Sequence, residues 1–193
     1  MVWETEAMRK TLVSVLTTCL MFTISPAWAA TTSFTLGSPV VGEMGTLPAL
    51  YTCDGASVSP PLQWSNAPKG TKYFALTMFT IPKDGPDHWY FTIWDIPAKV
   101  SKLPQGDLNI GQVGGNGENP KIGYAPPCSQ GPGIKKYAFS LYALSRSANL
   151  GHSSASVTRA DLLSAISKIT LAQATFDVTY SRPNGATHVT PAP

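Results

Sequence analysis

Imidazole, ammonium and thiol groups are the side chains of this sequence whose placement could support chemistry. The histidines, His88, His152 and His188, stand far apart. No two have the spacing that would set them on one metal ion, so no metal site is expected. His88 begins the strand-like stretch Asp87-His88-Trp89-Tyr90-Phe91, where an imidazole could exchange protons or hydrogen bonds near neutral pH. A lone histidine at a strand start is also a common structural residue. Lys135 precedes Tyr137 by two positions, so both point to one side of a strand and the lysine stands at its mouth. A flexible ammonium there would attract an anion, although the spacing fits an ordinary surface lysine as well. There is no Gly-x-Ser-x-Gly elbow, and Gly114-Gly115-Asn116-Gly117 is not followed by Gly-Lys-Ser/Thr. Neither a serine hydrolase nor a phosphate-cradling loop is indicated.

The thiols bear on compartment as well as on chemistry. Arg9 and Lys10 precede the uncharged run from Thr11 to Ser25, and Ala27-Trp28-Ala29 supplies small residues at a cleavage site. Residues 1–29 therefore read as an export signal cleaved after Ala29. Glu4 and Glu6 are out of place in a basic leader and point to Met8 as the start. The apolar run is short and soon meets Pro26, so no membrane span is expected once the signal is gone. Leu16-Thr17-Thr18-Cys19 only faintly matches a lipidation box, because threonine precedes the cysteine. Cys19 leaves with the signal, and the remaining pair, Cys53 and Cys128, is predicted to form a disulfide in a periplasmic or secreted protein. Closing a loop of about 76 residues contributes about 4 kcal/mol in the chain-entropy model.

The elements that must position these groups fill one domain. Residues 30–182 hold enough chain for a single core, and 183–193 read as a polar tail. The net charge of the 193 residues is +3, and the basic residues are scattered. No basic stripe suggests nucleic acid as a partner, and no cofactor is implied.

Short strands separated by Pro, Gly, Asn and Asp clusters make the chain mostly β. Leu62–Ser65, Tyr73–Thr80, His88–Ile96, Lys136–Leu144 and Thr175–Tyr180 are the strand candidates. In the fourth, Tyr137, Phe139, Leu141 and Ala143 alternate with Ala138, Ser140, Tyr142 and Leu144, which assigns two faces. Before it, Tyr124-Ala125-Pro126-Pro127-Cys128 and Gly131-Pro132-Gly133 form a shaped loop, since proline fixes φ and glycine widens it. Residues 101–127, with six glycines, read as one long ordered loop. Thr158 and Asp161 offer a capping box, and Leu162, Leu163, Ile166 and Ile169 recur at helical spacing.

The ordered set of motifs resembles the bacterial, Raf-kinase-inhibitor-like branch of the phosphatidylethanolamine-binding proteins. It runs through Tyr51-Thr52-Cys53-Asp54-Gly55, Ser59-Pro60-Pro61-Leu62-Gln63-Trp64, His88-Trp89, Asp95-Ile96-Pro97-Ala98, Gly123-Tyr124 with Pro126-Pro127-Cys128, Lys136-Tyr137 and Thr179-Tyr180-Ser181-Arg182. The resemblance covers Ser33 to Arg182. It implies a two-sheet β fold with a C-terminal helix, a small anion-binding pocket near one end, and binding or scaffolding rather than catalysis. His88 matches the family's pocket histidine, and Tyr124, Pro126 and Pro127 match the loop that closes the pocket.

At two places the chain departs from the family's pattern. Thr80-Ile81-Pro82-Lys83-Asp84 stands where the usual pocket aspartates would be, with Asp84 and Asp87 out of register, and Lys135 replaces a second pocket histidine. An acid-plus-imidazole pocket thus becomes a more positive one, less suited to proton transfer. The expected ligand is a small anion such as phosphate or a phospholipid head group, held by His88, Tyr124, Pro126, Pro127 and Lys135. The alternative is a protein-interaction module, such as a protease inhibitor, that uses the exposed Gly111 to Pro127 loop.

Overall fold

The computed structural model describes residues 32–80, 88–129 and 133–182. The predicted export signal, Cys19, the 183–193 tail, Asp84 and Asp87 lie outside the described residues. Among the described residues, two antiparallel sheets and one α-helix make up the domain. The smaller sheet joins β1 (Thr35–Gly37), β2 (Leu62–Ser65) and β5 (Lys102–Leu103), with β2 in the middle. The larger one runs β6 (Gln112–Val113), β4 (His88–Pro97), β3 (Tyr73–Thr80), β7 (Lys135–Leu144), β8 (Thr170–Tyr180). The expected two-sheet β fold is what forms.

Alternation along β7 divides the core. Tyr137, Phe139, Leu141 and Ala143 pack with Phe74, Leu76 and Met78 of β3 and with Leu62, Trp64 and Leu103 of the small sheet. The opposite face sends Tyr142 and Leu144 to Trp94, Leu162 and Ile166. The last two belong to α1 (Arg159–Ile166), so the larger sheet lies between the small sheet and the helix. Thr158 accepts from the Asp161 amide at 3.1 Å, and the Asp161 carboxylate accepts from the Thr158 amide at 2.9 Å. This is the predicted capping box. It satisfies donors that the first helical turn leaves open.

β4 and β7 each run one residue beyond the expected limits, to Pro97 and from Lys135, and two differences are larger. The last strand begins at Thr170, five residues earlier than Thr175, because Thr170 and Ala172 to Ala174 pair with β7, although the alanines have poor strand propensity. Residues 101–127 are not one loop. They contain β5 and β6, each two residues long and too short to leave a periodic signal. The outer edge of β8 is also covered. Met44 and Leu47 donate their amides to Asp177 and Thr179 at 2.7 and 2.8 Å, which pairs backbone that would otherwise face solvent.

Candidate functional site

β3 ends at Thr80, β4 starts at His88, β7 starts at Lys135 and β8 ends at Tyr180. Antiparallel pairing therefore gathers these residues at one end of the larger sheet. Lys135 lies directly across from Tyr180, and His88 across from Thr80. Lys135 is exposed and shares its side of the strand with the buried Tyr137, as its spacing implies.

Tyr90 enters this end through a bulge in β4. Met78 faces Phe91 and Phe79 faces Trp89, so Tyr90 is the extra residue between them. The bulge breaks simple alternation and lets Tyr90 and Phe91 both reach the core between the sheets. The Tyr90 ring meets Tyr137 edge-on with centroids 5.2 Å apart, and Phe91 meets Tyr124 likewise at 5.9 Å. Period-two reading could not find Tyr90, because it assigns neighbours to opposite faces.

The phenols form an uncharged floor beneath this end of the sheet. Burial raises Tyr124 well above the ordinary phenol range, and burial followed by the nearby Tyr137 does the same for Tyr90. Tyr137 is pushed up to about 12, chiefly by burial and then by the Glu118 charge. Each keeps its proton at neutral pH. The Tyr124 hydroxyl donates to the Tyr51 carbonyl at 2.6 Å.

Carboxylates are present, but they come from Glu118 and Asp54, neither of which is an expected pocket residue. Glu118 Oε1 lies 3.0 Å from His88 Nδ1, with the two side chains 34% and 49% exposed. His88 thus has a carboxylate beside it although the family's usual pocket aspartates are missing from their positions. A loop residue thirty positions away supplies it, and leaves Nε2 as the other ring nitrogen. Asp54 is the second carboxylate. One of its oxygens accepts from the Tyr180 hydroxyl, the other from Arg182 Nε at 2.9 Å. Arg182 and Asp54 are 12% and 13% exposed, so this pair fastens the end of β8 to the turn around Cys53 with little solvent screening. Burial, then the Asp54 hydrogen bond, raises Tyr180.

Asn116 shapes the loop that carries Glu118. Its Oδ1 accepts from the amides of Glu118 and Asn119 at 3.0 and 2.9 Å, and its Nδ2 donates to the carbonyl of Lys121 at 3.0 Å. Gly117 closes against Trp89, where an added Cβ would meet the indole at 2.8 Å. Much of the stretch from 111 to 127 is thus buried rather than exposed, and its exposed tip is 117–122. At its far end, Ala125 donates to the Tyr90 carbonyl at 2.7 Å and Pro127 accepts from the Cys53 amide at 3.1 Å. Cys53 and Cys128 are joined as a disulfide, with Cα atoms 5.2 Å apart. Pro126 and Pro127 therefore hang between the Ala125 anchor and the disulfide.

The structure brings His88, Lys135 and the Tyr124 to Cys128 loop to one end of the sheet, although no hydrogen bond joins His88, Tyr124 and Lys135 to one another. A separate groove of about 390 Å³ lies over the small sheet, lined by Thr35, Gln63, Trp64, Ser65 and Lys102. It contains none of the predicted site residues. No cluster of three or more metal-ligating side chains occurs among the described residues.

Residues 37–181 match the family model described as phosphatidylethanolamine-binding protein. The chain belongs to this family. Among relatives, the UPF0098 protein YbcL of Escherichia coli strain K12 is 31% identical over 142 residues, 67% of this chain and 78% of YbcL. A UPF0098 protein of Aquifex aeolicus is 36% identical over 111 residues, 51% of this chain, and the match spans 61% of that relative's length. LppC of Mycobacterium tuberculosis strain H37Rv, named as a lipoprotein, is 33% identical over 132 residues, 62% of this chain and 59% of LppC. A solved phosphatidylethanolamine-binding protein homolog from Chlamydia trachomatis superposes with a TM-score of 0.71 at 27% identity, covering 78% of this chain and 99% of that one. The family fold accounts for the two sheets and the helix. No helix among the described residues is long and apolar enough to cross a membrane.

Proposed function

We propose that this family member is an exported, non-catalytic binding protein that takes a small anion, phosphate or a phospholipid head group, at the end of the larger sheet. The observation that carries this reading is the convergence there of Lys135, His88 and buried phenols that stay protonated. An ammonium supplies attraction at the rim, and the neutral phenols beside it add no negative charge. Glu118, 3.0 Å from His88 Nδ1, orients the imidazole. The same carboxylate would welcome a cationic group on the ligand.

Calorimetric titration of the mature, oxidised protein with phosphate and with phosphoethanolamine tests this. Saturable heat is expected, with affinity reduced about tenfold or more in both Lys135→Ala and His88→Ala. Unchanged affinity in both variants would sink the reading. Absence of heat with either ligand favours a second reading, a protein-interaction module that uses the tip at 117–122. What speaks for it is that Asn116 holds this tip in shape while Ile122 stays 48% exposed. A preorganised loop loses little entropy on binding a protein.

A further inference from the structure

The disulfide links two loops, and neither cysteine belongs to a strand of the larger sheet. Cys53 follows the 3-10 turn Ala49–Tyr51, and Cys128 follows the paired prolines. The two are presented to solvent unequally. Cys53 is 2% exposed, whereas Cys128 is only half-buried. The loop has its own attachments upstream, through the Tyr124 hydroxyl on Tyr51 and the Ala125 amide on Tyr90. Opening the bridge therefore unpairs no strand and leaves those two anchors in place.

We propose that Cys128 is a thiol-exchange site for a dithiol reductant. A thiolate of the reductant attacks Cys128 Sγ with its electron pair and forms a mixed disulfide there. The Cys53–Cys128 bond breaks, and Cys53 leaves as a thiolate that takes a proton from water. The reductant's second thiol then displaces Cys128, so the reductant ends as a disulfide and the protein gains two electrons and two protons. Access decides the direction, because the incoming thiolate must reach the sulfur opposite the departing one. Among the described residues, the backbone hydrogen bond that then remains on 126–129 is that from the Cys53 amide to Pro127, while the phenol floor behind Tyr124 is retained. One wall of the site becomes adjustable by redox state.

The test uses the native oxidised protein with glutathione at mildly alkaline pH, an acid quench, alkylation of free thiols, and peptide mass spectrometry. Glutathione is expected on Cys128 and the alkylating agent on Cys53, with the reverse pattern at least about tenfold rarer. Equal labelling, or preference for Cys53, overturns the proposal. A second measurement separates local opening from unfolding. The exchange rate in Leu141→Ala, a core variant in neither of the two bridged loops, is expected to stay within about twofold of the parent. A rate that rises in step with that variant's lost stability would mean that exchange requires global unfolding, and overturns the proposal equally.

Discussion

The two ends of β7 are finished in opposite ways. From Leu141 to Leu144 every side chain is buried, and the neighbours on both faces are almost all apolar. From Lys135 to Tyr137 the same strand meets phenols, the Asp177 carboxylate and the turn at Asp54. At the first end stability comes from area removed from water, which is non-directional. At the second it comes from hydrogen bonds whose geometry must be met. The difference separates a part of the strand that holds the fold from a part that the fold holds in readiness.

Substitutions along this one strand can break the comparison. The largest effect belongs to Leu141→Ala, which empties a site with no solvent exposure and is expected to cost about 3 to 4 kcal/mol in denaturant unfolding. A loss below about 1 kcal/mol would mean that the deep end is loosely packed.

Tyr137 gives an intermediate effect, and pH exposes it. Its phenol ionises at about 12 in the folded protein, against about 10 when unfolded. The stabilisation is fully present below pH 10, where both states are protonated. It is lost as pH rises through 12, because the unfolded chain ionises first, and the loss reaches about 2 to 3 kcal/mol. Unfolding followed from pH 9 to 12 should show Tyr137→Phe losing less stability than the parent over that window. Parallel losses would contradict the assignment.

Lys136 has the smallest effect. Its ammonium lies 2.9 Å from Asp177, and it is exposed on the solvent side of the strand. Lys136→Ala should leave the neutral-pH unfolding midpoint unchanged in moderate salt. A clear drop would show that charge, and not only phenol burial, maintains the site end.

What could be read in the sequence follows the same division. The limits of β2 and β3, the two faces of β7 and the Thr158–Asp161 box were legible because each is encoded within a few residues. The cysteine pairing was legible because an even count in a chain read as exported leaves few options. His88 and Lys135 could be placed at a strand start from local pattern alone. Glu118 and Asp54 could not be given their roles, since their partners stand 30, 126 and 128 residues away. Tyr90 was hidden by a bulge, and the first turn of pairing in β8 by alanines that make a strand only because β7 is beside them.

Asn116 fixes the path of the 117–122 tip by bonding chiefly to main-chain groups, with Asn119 as its one side-chain partner. Any residue supplies those amides and carbonyls. Glu118, Lys121 and Ile122 can thus be exchanged without changing the curve of the loop. The tip is an interchangeable surface on a fixed mount, so its recognition can be redesigned, by selection or in the laboratory, while the sheet beneath it stays as it is.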